Sequence, residues 1–235
     1  GCENYCTFCT IPFIRGKYKS QSMENLIEEA QSLVDNGATE LILVAQDITR
    51  YGMDKSGKPQ LVQLIRKLST IEHLKWIRLL YCYPEKLSDE LLDEIINNPK
   101  VCKYIDIPLQ HASTKVLSAM RRSIDGPATQ RIIDDIRSKV PGVVLRTTMI
   151  VGHPGEDRRE FEKLLSFVQK NRIERLGAFT YSEEEGTYGA LHFKDSVRES
   201  TKQRRYEELM ELQSQISLDC NEARVGSEEK VIIGS

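Results

Sequence analysis

The sequence has no run approaching the ~20 consecutive apolar residues that a bilayer-crossing helix requires, so none of it reads as a membrane span. It has no surplus of either charge: 33 lysines and arginines face 35 aspartates and glutamates, a net charge of −2. That balance excludes a nucleic-acid binder held by bulk positive charge, and no direct nucleic-acid contact is expected. The opening Gly1-Cys2-Glu3-Asn4 is not the basic-then-apolar start of a secretory leader, and a cytoplasmic protein is expected. Internal repeats and low-complexity stretches are lacking too. What remains is ordinary globular material. With 40% hydrophobic and 29% charged residues, 235 residues suffice for one large core and fall short of two.

Cysteine is scarce, and its distribution matters more than its number. Of six, Cys2, Cys6 and Cys9 crowd into one short segment, while Cys82, Cys102 and Cys220 stand alone. A disulfide framework spreads its cysteines along a small secreted chain, and this chain is neither. The spacing Cys2-x-x-x-Cys6-x-x-Cys9 instead puts three soft thiolates on one tight loop, suited to iron–sulfur chemistry or to zinc. Three thiolates leave the fourth iron of a cubane open, as a substrate-activating centre requires. A closed zinc site would need a fourth ligand, such as His111, His153 or another cysteine. The scattered cysteines read as inert.

Hydrophobic periodicity predicts helices over 22–36, 61–71, 88–97, 113–121, 128–139, 157–171 and 201–223. Strands are predicted over 41–45, 76–81, 104–108, 143–151 and 176–181. Several are short, nearly continuous apolar runs, which suits parallel strands covered on both faces. Strand–helix alternation with right-handed crossovers gives an α/β sheet or barrel. A strand is expected before the cysteine loop, so the sequence reads as an excerpt clipped at both ends. Lys230-Val231-Ile232-Ile233 is expected to open a further strand. The arginine pairs 121–122, 158–159 and 204–205 read as solvated helix faces, and Glu183-Glu184-Glu185 argues against a groove that tracks phosphates.

Chemistry would gather at the C-terminal ends of the strands. There Gln46 and Gln110 offer both donors and acceptors, and Arg146 could hold a carboxylate. Ile150-Val151-Gly152-His153-Pro154-Gly155-Glu156 is a tight strand-to-helix turn whose glycines allow close backbone approach. Glu156 could equally serve as a helix N-terminal carboxylate.

The cysteine spacing, with Phe8 just before the last cysteine and a βα pattern after it, resembles the radical S-adenosylmethionine (SAM) enzymes. That resemblance implies a partial (βα)6 TIM-like barrel with its first strand missing. It also implies a [4Fe–4S] cluster on Cys2, Cys6 and Cys9 that binds SAM and cleaves it to a 5′-deoxyadenosyl radical. Phe8 would lie beside the adenine, and Gln46, Gln110, Arg146, Ile150, Gly152 and Glu156 would contact the nucleotide.

Gly1-Cys2 through Cys9-Thr10-Ile11-Pro12 and Arg15-Gly16 are similar to the methylthiotransferases of that family. Leu43-Val44-Ala45-Gln46-Asp47, Tyr81-Cys82-Tyr83-Pro84, Ile107-Pro108-Leu109-Gln110-His111 and Leu145-Arg146-Thr147-Thr148 resemble the branch that modifies an aspartate of the twelfth small-subunit ribosomal protein. The alternative within the family acts on a tRNA adenosine. An alternative of another class is a zinc-stabilised α/β binding module. His153 departs from the family, which usually has Phe there. Glu156 lies one residue later than the family's glutamate. The resemblance further implies a core over residues 1–224 and the start of a TRAM-type β domain at 225–235. It implies a second [4Fe–4S] cluster in an N-terminal domain missing here, and an electron donor such as flavodoxin or ferredoxin.

Overall fold

The structure, a computed structural model, describes residues 1–233. Five strands, β1 (Glu40–Leu43), β2 (Trp76–Leu79), β3 (Val101–Gln110), β4 (Val144–Val151) and β5 (Arg175–Thr180), lie in sequence order in one parallel sheet. Helices α1 (Ile11–Arg15) and α2 (Met23–Asp35) precede β1; α3 (Met53–Ser56) and α4 (Leu61–Ser69) lead to β2. Helix α5 (Asp89–Asn97) leads to β3, α6 (Thr114–Ala119) and α7 (Gly126–Lys139) to β4, and α8 (Arg158–Asn171) to β5. Helices α9 (Tyr188–His192) and α10 (Glu199–Glu222) follow. Parallel neighbours in chain order require a crossover each time, which the helices supply. The sheet does not close on itself, because β1 and β5 are its edges. It is an open part-barrel, as expected.

Local chemistry sets the helix starts. Ser22, Ser88, Ser113, Asp125 and Asp157 each cap a helix by accepting from the backbone N–H three residues on. In α8, Phe161, Leu164, Phe167 and Val168 recur at helical spacing and are buried, as are Leu61, Leu64, Ile65 and Leu68 in α4.

The predicted covering of both sheet faces does not hold. One face carries Ile77, Leu79, Ile105, Ile107, Leu145, Met149 and Val151, all buried in the core. The alternate residues carry charge instead. Across this inner face Glu40 accepts from Arg78 at 2.7 Å, Arg78 lies 4.8 Å over the Tyr104 ring, and Arg146 pairs with Asp106 at 3.1 Å. Hydrophobic runs such as 76–81 hide this pattern because apolar residues also occur on the inner face.

β3 starts at Val101, earlier than predicted, and runs past Pro108 to Gln110. Its register shifts between Ile107 and Gln110, as a proline without an N–H requires inside a ladder. Helices α1, α3 and α9 were not predicted, being too short to show a period. Residues 227–233 form no strand, and Val231 and Ile233 are exposed with no ladder to join. Gly234 and Ser235 lie outside the described residues.

Candidate functional site

The cysteine loop crosses the C-terminal ends of the strands and is gripped residue by residue. Glu3 pairs with Arg50 at 3.5 Å. Asn4 donates to Asp47 at 3.4 Å and accepts from Lys86 at 3.2 Å, while Lys86 donates to Asp47 at 2.7 Å. Asp47 is buried at the end of β1 and also accepts from the Thr49 hydroxyl. Thr7 bonds the C-terminal end of α6 through its N–H to Met120 O (3.2 Å) and its hydroxyl to Ala119 O (2.8 Å). Its carbonyl accepts the Gly189 N–H at 2.7 Å. That approach needs glycine: a Cβ at position 189 would sit 2.9 Å from the Thr7 oxygen.

So fixed, the loop holds three half-buried free thiols. The Cys9 N–H donates to Cys6 O at 3.1 Å, closing the turn that brings the last two together. Burial pushes the Cys9 thiol up; a backbone hydrogen bond at Ile11 opposes this, and the sulfurs of Cys6 and Cys2 add to it. Among the described residues, no three Cys, His, Asp or Glu side chains gather around one point where a single metal ion could sit. Among the described residues, neither histidine considered as a fourth zinc ligand gathers with the thiols. His111 accepts the Ser113 N–H on Nδ1 at 2.9 Å, and His153 donates from Nδ1 to Pro154 O at 2.9 Å. A cubane asks less, since each thiolate takes its own iron. Three thiols on one anchored loop fit that group.

The other predicted residues separate into two sets. Phe8 is half-buried within the loop, and Gln46 is exposed just beyond β1. Gln110 ends β3 with φ 71°, and Tyr81, just beyond β2, has φ 60°. Such left-handed backbone in non-glycine residues costs about 1–3 kcal/mol each and clusters at functional rims. Ile150 is half-buried near the end of β4 on the inner face. These residues surround the same rim as the loop.

Arg146, Gly152 and Glu156 are committed differently. Arg146 lies in the first half of β4, paired with Asp106, whose carboxylate also accepts the Tyr81 N–H at 3.1 Å. It is not a free carboxylate clamp at the strand's end. Glu156 is buried. One oxygen accepts the Gly152 N–H at 2.9 Å and lies 3.4 Å from His111 Nε2; the other accepts from Arg205 at 2.9 Å. With Nδ1 of His111 accepting, its proton sits on Nε2 and faces that carboxylate. Glu156 therefore ties the turn after β4 to the loop after β3 and to α10. Gly152 has φ 78°, and a Cβ there would meet the Lys202 side chain at 2.4 Å. The turn is held from behind, by buried charge.

Two arginines read as solvated are buried: Arg205, as above, and Arg122. Arg122 donates to the Tyr83 hydroxyl and to Pro108 O at 3.1 Å, and lies 3.9 Å from Cys6 Sγ. Tyr83 Oη is itself 3.3 Å from Cys6 Sγ. Burial raises the Tyr83 phenol well above its usual range, against the opposing pull of Arg122. Sequence reasoning missed both residues. The Tyr-Cys-Tyr-Pro segment was visible, but nothing in it distinguishes Tyr83 from Tyr81, which is exposed. Cys82 is buried, and burial raises its thiol, so the inert reading of that cysteine stands. His153 is also buried; burial lowers it to about 4, leaving a neutral ring edge-on to Tyr181 (5.1 Å) and Phe193 (5.9 Å).

The radical SAM superfamily model matches residues 1–168. The chain is 53% identical over 233 residues to the ribosomal protein uS12 methylthiotransferase RimO of Caldanaerobacter subterraneus, covering 99% of this chain and 53% of that protein. The RimO of Acetivibrio thermocellus is 49% identical, with 99% and 51% covered. The chain thus spans about half the length of the curated relatives it matches. Among solved structures, coproporphyrinogen III oxidase (HemN) from Escherichia coli superposes with a TM-score of 0.64 at 16% identity, covering 92% of this chain and 50% of that one. Streptococcus suis SuiB bound to S-adenosylmethionine gives 0.59 at 16%, covering 90% and 45%. Those likenesses speak for the fold alone. The family model, fitting most of the chain from the first thiol onward, carries the conclusion: this chain belongs to the radical SAM superfamily.

Proposed function

We propose that this chain is the radical-forming core of a methylthiotransferase that modifies the β-carbon of an aspartate in the twelfth small-subunit ribosomal protein. The observation that carries the reading is identity near one half, sustained over 233 residues, with proteins named for that activity. The cofactors are those of the superfamily, SAM and a [4Fe–4S] cluster. When bound, they supply one-electron cleavage of the sulfonium and a 5′-deoxyadenosyl radical.

The chain's own residues do the holding and orienting. Cys2, Cys6 and Cys9 take three irons and leave one open. Phe8 offers a ring to the adenine, and Gln46 and Gln110 offer amides to the nucleotide's hydroxyls from the strand ends. Ile150 offers an apolar side chain beside them, and the turn at Gly152 a close backbone approach. Glu156 acts through Gly152, and Arg146 through Asp106 and the Tyr81 backbone; both are positioning residues in this reading.

The full activity draws on more than this chain. Residues 1–224 form the core, and 225–235 lead toward a TRAM-type β domain. A second cluster in an N-terminal domain holds the transferred sulfur, and a flavodoxin or ferredoxin supplies electrons in the cytoplasm. No helix among the described residues is long and apolar enough to cross a membrane.

The test is mass spectrometry of the ribosomal protein from cells lacking the gene, complemented with the full-length wild type or its Cys6→Ala variant. Wild type should restore one methylthio group on the aspartate, and the variant none. Restored methylthio-adenosine in tRNA, with the ribosomal protein unmodified, would favour the tRNA branch.

A further inference from the structure

The three thiols do not have equal surroundings. Among the described residues, Cys6 alone of the three has side-chain hydrogen-bond partners, and both come from outside the loop. Tyr83 follows β2, and Arg122 follows α6. A phenol has one hydrogen to give. Arg122, which has no acceptor, already donates to the phenol oxygen, so the phenol O–H turns to the sulfur at 3.3 Å. The guanidinium also stacks over the Tyr83 ring, 4.1 Å from its centroid, and is anchored by Pro108 O at 3.1 Å. Both groups are buried, while Cys6 itself is half-buried. Glu85 lies 3.8 Å from Arg122 and offsets part of its charge.

The geometry points to Arg122 and Tyr83 as a donor relay onto the Cys6 sulfur that raises the reduction potential of the cluster bound there. Donors and positive charge at a ligating sulfur stabilise the extra negative charge of the reduced cluster. The buried arginine polarises the phenol and strengthens its bond to the thiolate. Reduction of the cluster is the step that admits the electron for SAM cleavage, so the relay would set how strong a donor the enzyme needs. Neither residue touches the reacting atoms; both are positioning residues.

This inference rests on the cluster assignment, and the experiment separates the two. Reconstituted full-length protein is titrated by EPR-monitored potentiometry, on the signal that added SAM perturbs, as wild type, as Tyr83→Phe, and with 3-fluorotyrosine at position 83. Iron and sulfide are counted in each. Tyr83→Phe should lower the equilibrium constant for one-electron reduction about tenfold, a shift of about 59 mV to more negative potential. The fluorinated phenol, a stronger donor of the same shape, should shift it the opposite way.

An unchanged midpoint in Tyr83→Phe at full iron content overturns the relay, as do equal-signed shifts in both variants, which a packing effect would give. If Tyr83→Phe cannot retain the cluster, the fluorotyrosine protein decides alone: a raised midpoint supports the relay and an unchanged one ends it. Wild-type protein that binds no cluster would instead strike at the parent assignment.

Discussion

The two faces of the sheet divide the labour of this chain. The outer face, with Ile77, Ile105, Leu145 and Met149, is dry and packed against helices. The inner face and its C-terminal rim carry ion pairs, left-handed strand ends and three free thiols. The first arrangement maximises burial. The second leaves groups that a ligand can reach and spends backbone strain to aim them. Stability and chemistry should therefore respond to different substitutions, except where a buried charge pins the rim to the core.

The sharpest test of that division is at the thiols. Cys2→Ala, Cys6→Ala and Cys9→Ala should each remove one [4Fe–4S] complement relative to wild type, read by iron and sulfide analysis, while the melting temperature of the metal-free protein moves little. The pin comes next. Arg205→Ala leaves Glu156 buried and unpaired, and should cost about 3–5 kcal/mol in denaturant unfolding. On the outer face, Ile105→Ala should cost about 2–5 kcal/mol, with the residual protein still able to take up iron. On the inner face, Arg78→Ala removes a partly exposed pair with Glu40 and should cost no more than about 1 kcal/mol. A loss there as large as at Ile105 would contradict the division between the two faces.

His153 sharpens it through pH. Its folded value near 4 lies below the ordinary 6.5, because burial penalises the charged ring; the Pro154 carbonyl opposes that shift. His111 adds to the lowering, while Glu156 and Asp195 work against it. The unfolded chain therefore binds a proton that the folded chain refuses. Its contribution to stability is whole above about pH 6.5 and declines as pH falls toward 4. His153→Phe keeps the ring against Tyr181 and Phe193 and removes a buried nitrogen, Nε2, that has no hydrogen-bond partner among the described residues. Denaturant midpoints measured across that range should slope less in the variant than in wild type.

The sequence made the helices and the strand order legible because their periods and capping residues are local. The thiol spacing, equally local, marked out the loop that is proposed to hold the cluster. What stayed hidden depends on partners far away in the chain. Arg122 and Arg205 look like surface charges until the fold sets them against Tyr83 and Glu156. Arg146 looked free until Asp106 appeared opposite it in the β3–β4 register. The inner sheet face was misread because alternation of Glu40, Arg78 and Asp106 is interleaved with apolar neighbours on both sides. Strand 230–233 failed for a related reason: a strand is a property of its pairing, and no partner lies beside it here.

In the proposed function, three thiolates hold a cluster with one iron open to SAM. Anaerobically reconstituted full-length protein, given dithionite and SAM, should produce 5′-deoxyadenosine, and its Cys6→Ala variant should produce none. Wild-type protein with a complete iron and sulfide content that forms no 5′-deoxyadenosine would contradict the claim.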